Sequence, residues 1–121
     1  MKEWKALNIN VALVYDALYR MGFKADRTGF FYLSYSVYCC LCFPAFRPVT
    51  TAWLYPEVAK HYRVPLQRVQ EDVSTAIRRA WRNNREKIEY IAGFPMENCP
   101  VDTEIICYLY SYIVAQQSLE L

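Results

Sequence analysis

Between positions 67 and 82 the chain places Gln67, Arg68, Gln70, Glu71, Ser74, Thr75, Arg78, Arg79 and Arg82. Guanidinium forks bind phosphate oxygens in two-point fashion, so Arg68, Arg78, Arg79 and Arg82, with Arg85 and Lys60 nearby, are candidate phosphate contacts. Gln67 and Gln70 can pair with the N6/N7 edge of adenine. Glu71 can accept from a cytosine amino group, and Ser74 or Thr75 can meet several bases. Glu71 and Asp72 act in the opposite sense, since negative charge beside a phosphate wall weakens sequence-independent attraction. Arginines at a helix end also serve as a plain solvated face, so the clustering of charge decides between the two uses. Residues 60–87 carry a net charge of +5 and residues 88–121 a net charge of −5, inside a total of only +2. Phosphates respond to the nearest charges, within a Debye length of about 8–10 Å, and not to the total.

No other chemistry is legible. His61 is the single histidine, and no Ser/His/Asp or Cys/His set surrounds it, so no catalytic residue and no enzymatic activity are expected. Gly22, Gly29 and Gly93 are isolated, which leaves no glycine loop to cradle a nucleotide phosphate, and no cofactor is expected. Cys39, Cys40 and Cys42 fan out over different faces of a helix and Cys99 and Cys107 stand apart, so no metal site is expected. Five cysteines, an odd number, without a secretion signal indicate a reducing cytosol and small buried thiols. The uncharged run from Thr28 to Phe46 approaches the length of a membrane span. It is too rich in Tyr, Ser and Pro for a bilayer centre, and a buried central helix is expected instead.

The elements that must position these groups are helical. Asn8 is expected to cap a helix from Ile9 to Met21, with Gly22 ending it. A second helix, aromatic nearly all round, spans about Thr28 to Cys42, stopped by Pro44 and Pro48. Thr50 or Thr51 caps a short turn through Leu54, and Pro56 opens a short helix to Tyr62. After the break Arg63-Val64-Pro65, apolar Leu66, Val69, Val73, Ala76, Ile77, Ala80 and Trp81 recur at helical spacing to about Asn83. A short helix from Arg85 to Ala92 precedes Gly93. A last one runs from Asp102, as its cap, to Gln117. The eleven tyrosines are read as core edge, and His61 and Tyr62 as parts of the turn and core. The expected fold is all-α, one compact bundle of about six helices over residues 1–121, containing a helix-turn-helix at about 56–83. Ala59 permits close approach there and Val64 fills the crook.

Leu54-Tyr55-Pro56-Glu57-Val58-Ala59-Lys60, then Arg68-Val69, Ala76-Ile77 and Ala80-Trp81, resemble the C-terminal effector domain of the sporulation stage-zero master response regulator. Gly29 and its aromatic run lie at the family's separation from the Leu-Tyr-Pro segment, and the similarity extends over about Ile9 to Gln116. The resemblance implies a six-helix domain that regulates transcription by binding a short double-stranded DNA box as head-to-tail tandem copies. It also implies control by a phosphoryl-accepting receiver domain. With some eight residues ahead of the first helix, a domain without a receiver is expected here. The family's base-reading Arg, Arg and His correspond to Glu71, Ser74 and Thr75, so an altered recognition helix is expected. A second reading follows from Glu71, Asp72 and the acidic C-terminal stretch. It is a DNA-binding-deficient interaction module that self-associates or modulates a full-length relative. Either form is expected in the cytoplasm, away from the membrane.

Overall fold

The computed structural model describes residues 10–42 and 51–120. They form five α-helices and, among the described residues, no strand: α1 (Val11–Met21), α2 (Thr28–Cys42), α3 (Thr51–Tyr62), α4 (Leu66–Ala92) and α5 (Asp102–Glu120). The all-α expectation holds, with five helices where about six were expected. Pro44, Pro48, Thr50 and Asn8 lie outside the described residues.

Local chemistry accounts for the helix ends. α1 starts at Val11 and not at Ile9, because Asn10 is extended (φ −146°) and its side-chain oxygen accepts from the Leu13 N–H at 3.2 Å. Gly22 ends α1 at φ 101°, a left-handed conformation in which a Cβ would be strained. Thr51–Tyr62 is one continuous helix, not a turn followed by a helix from Pro56. Proline removes a single N–H, and the Pro56 ring lies on the exposed side, so the helix runs through it. α5 is entered from Val101, whose carbonyl accepts from Ile105 N–H and whose N–H donates to Glu104 Oε1 at 2.8 Å. That reciprocal arrangement makes Val101 the cap, one residue before the expected Asp102. Asp102 instead accepts from Thr103 N–H and from the buried Tyr55 hydroxyl at 2.7 Å. α5 continues past Gln117 to Glu120.

α2 occupies the centre and touches all four other helices. Its interior face includes Phe30, Leu33, Val37 and Leu41, against Leu18 and Met21 of α1, Leu54 and Tyr55 of α3, Val69 and Val73 of α4, and Ile105, Ile106 and Leu109 of α5. Each such side chain stabilises the fold by about 1.5–3 kcal/mol relative to exposure. Ser34 and Ser36, fully enclosed, donate back to the Phe30 and Tyr32 carbonyls at 2.7 and 2.8 Å, which satisfies their hydroxyls inside an apolar centre. Most tyrosines sit at the rim as expected, although Tyr32 and Tyr55 are buried and Tyr19 and Tyr90 exposed.

Cys39 and Cys40 are buried as expected, and burial pushes their thiols up to about 11 and about 12. Cys42 and Cys99 are half-buried, and Cys107 is exposed, which departs from the expectation of buried thiols. No helix among the described residues is long and apolar enough to cross a membrane. No group of potential metal ligands forms among them.

Candidate nucleic-acid interface

α3 and α4 are joined by Arg63, Val64 and Pro65 alone. The turn is closed by a hydrogen bond from Val64 N–H to the Ala59 carbonyl at 3.0 Å, across Arg63 in the left-handed region (φ 57°). This is a Schellman closure with arginine where glycine is usual, at a conformational cost of about 1–2 kcal/mol. Ala59 and Val64 both pack half-buried on the core. His61 departs from its reading. It is exposed and stacks flat on Tyr35 with ring centroids 4.0 Å apart, while Tyr62 is half-buried against Tyr32.

α4 spans 27 residues, but Asn84 leaves helical geometry (φ −141°, ψ 41°), so a segment to Asn83 is followed by a second from Arg85, the division anticipated in the sequence. In the first segment Val69, Val73, Ile77 and Ala80 are buried. At 100° per residue the opposite face must carry Arg68, Glu71, Thr75, Arg78 and Arg82. All five are exposed, as are Gln67 and Gln70. Ser74 and Arg79 are half-buried, one on each flank of that face. Gln70, Glu71, Ser74, Thr75 and Arg78 line one shallow depression together with Asp72. Intramolecular hydrogen bonds on this face are few. Gln67 Nε2 donates to Glu71 Oε2 at 3.0 Å, and Arg78 donates to the Thr75 hydroxyl at 3.4 Å.

The two acids that opposed phosphate binding in the sequence behave differently. Glu71 stands in solvent on the outer face. Asp72 turns back toward α2, where its carboxylate accepts the Thr28 hydroxyl at 2.5 Å beside the N-terminus of that helix. A carboxylate is favoured at that positive end of the helix dipole.

Beside Asp72 the first turn of α2 meets α4 so closely that a Cβ on Gly29 would lie 2.4 Å from the Asp72 carbonyl oxygen and 2.8 Å from the Ala76 Cβ. Gly29 has helical geometry, so it is there for space and not for backbone freedom. The sequence marked this glycine only by its position in the pattern, because a contact between residues so far apart in the chain leaves no local signal.

The arginines divide between two flanks. Arg78, Arg82 and Arg85 line one groove with Trp81 and Cys99, and the Arg85 guanidinium lies 4.6 Å above the Trp81 ring. Arg79 faces the other way, into a cleft shared with the α1–α2 loop. Arg85 is also committed to the fold, since it pairs with Glu89 and donates to the Met96 carbonyl.

A protein-family profile described as the sporulation initiation factor Spo0A C terminal matches residues 14–113. A search of curated proteins found no match.

Proposed function

This chain belongs to the Spo0A C-terminal family of non-catalytic, DNA-binding effector domains, and we propose that it reads duplex DNA with a rewritten recognition helix. In this reading α3, the Arg63–Pro65 turn and the first segment of α4 act as a helix-turn-helix, over about residues 56–83. The outer face of α4 enters the major groove, which at about 12 Å admits a helix about 10–12 Å across its side chains. Gln67, Gln70, Glu71, Ser74 and Thr75 meet base edges, and Arg68, Arg78, Arg79 and Arg82 meet phosphates. One observation carries this reading: among the described residues, the polar side of α4 opposite Val69 and Val73 is covered by no other helix. Because Glu71, Ser74 and Thr75 stand where the family resemblance implies Arg, Arg and His, the preferred DNA sequence differs from the family box. Binding as head-to-tail tandem copies belongs to the same proposal.

The test is a fluorescence anisotropy titration against a randomised duplex pool at two salt concentrations. Each phosphate contact contributes about −0.9 to the slope of log affinity against log salt. Glu71→Arg exchanges a repelled charge for a phosphate contact and is expected to raise pool affinity about threefold to tenfold. Unchanged affinity in that variant means that this face does not meet DNA. Absence of duplex binding by the unmodified protein, combined with self-association in light scattering, favours the interaction-module reading. The specific observation behind that second reading is the Gln67–Glu71 hydrogen bond, which ties up two of the groups that would meet bases.

A further inference from the structure

The loop between α1 and α2 is fastened to α4 at both of its ends. At one end Asn84, the non-helical residue of α4, donates its side-chain N–H to the Gly22 carbonyl at 3.1 Å. At the other, Thr28 donates to Asp72. Twelve residues of α4 separate the two attachments, about 18 Å at 1.5 Å per residue. Gly22 cannot carry a side chain here, since a Cβ would lie 2.5 Å from that of Asn84. The break in α4 therefore does structural work: it aims Asn84 at the loop.

Between the attachments the loop and α4 enclose a cleft of about 200 Å³. Lys24, Arg27 and Arg79 line it, with Asp26 as its single acid, over a floor that includes Phe23 and Phe30. None of the three cations has a carboxylate within ion-pair distance among the described residues. Three cations against one acid leave the cleft with a net positive charge, so the arrangement favours an anion in it. Arg79 is one turn beyond Thr75 and one turn before Arg82 on α4, which puts the cleft along the edge of the outer face.

We propose that this stapled loop is a second phosphate-binding rim, in which Lys24 and Arg27, together with Arg79, seat a DNA backbone phosphate on the side of α4 opposite the Arg78/Arg85 groove. The inference rests on the DNA-binding reading above and deepens it. A helix in the major groove has a phosphate strand on either side, and a rim outside the two-helix unit gives the second strand its partner. Because both loop ends are held, the cations are placed before binding and little ordering entropy is lost on contact.

Lys24 and Arg27 are exposed, so their replacement leaves the core untouched. The test uses Lys24→Gln and Arg27→Gln, singly and together, in the full chain, with the randomised duplex pool as probe and thermal melting as the folding check. The double variant is expected to bind about tenfold more weakly, with a salt slope reduced by about 1. Arg20→Gln removes a charge from α1 that is paired with Asp16, and is expected to leave the slope unchanged. Arg78→Gln/Arg82→Gln reports on the outer face itself. If that pair weakens binding while Lys24→Gln/Arg27→Gln does not, the second rim is refuted and the DNA-binding reading stands. A slope change for Lys24→Gln no larger than that for Arg20→Gln also refutes the rim. If the unmodified protein binds no duplex, both ideas fall together.

Discussion

α2 and α4 share the most extensive contact of any two of the described helices, and they are built on opposite plans. α2 has no charged side chain along its length and touches every other helix, and the hydroxyls of its enclosed Ser34 and Ser36 are satisfied within the helix itself. α4 is strongly two-faced. Its apolar stripe rests on α2, and its first segment leaves the opposite side to solvent. A helix buried over most of its circumference supplies rigidity and has little surface left for recognition, whereas a helix seated along one stripe can present the other side to a partner. Within α4 the contrast repeats on a smaller scale. Beyond Asn84, Glu89 accepts the Met96 N–H at 2.8 Å and Arg85 holds the Met96 carbonyl, so the polar groups of that segment secure the following loop.

The contrast can be tested first through α2. Burial raises the Cys39 and Cys40 thiols from 9.0 to about 11 and about 12, so the folded state holds these protons more tightly than the unfolded chain does. Their contribution is fully present below pH 9 and is lost as pH rises from there through the folded values. The loss is about 1.4 kcal/mol per pH unit for each thiol. Urea denaturation across this range should show stability flat below pH 9 and lower by several kcal/mol near pH 11. A profile flat through both values means that the thiols are not enclosed.

Gly29→Ala acts where the two helices cross. The new Cβ meets the backbone of α4, which cannot rotate aside, so a loss of about 3 kcal/mol is expected in chemical denaturation. Duplex affinity should fall with it, because α2 sets the seating of the outer face. Glu89→Ala, beyond the Asn84 break, is expected to cost about 1–2 kcal/mol by orphaning the Met96 N–H. Duplex affinity should be unchanged in that variant. A loss of DNA binding there would erase the distinction between the two segments of α4.

Much of this was legible in the residues. The period of Val69, Val73 and Ala80 places Gln67, Glu71, Ser74, Thr75, Arg78 and Arg82 on the open side of α4; all are exposed except Ser74, which lies half-buried at the edge of that face. Gly22 and Gly93 marked helix ends, and both adopt left-handed φ. Errors arose where two local signals competed. Pro56 resembled a helix start but lies within α3. Asp102 resembled a cap, while Val101 and Glu104 close the end of α5 between them.

By itself the sequence determined the periodicity, the helix-breaking points and the concentration of charge, because each depends on neighbours within a few positions along the chain. Only the tertiary structure decided that Asp72 is withdrawn to Thr28, that Gly29 is needed for space, and that Arg79 joins Lys24 and Arg27 and not Arg78. These are meetings of residues some 40 to 60 positions apart. Which of two flanks a side chain joins depends on how whole helices pack, and packing is settled by the shapes of all their faces at once.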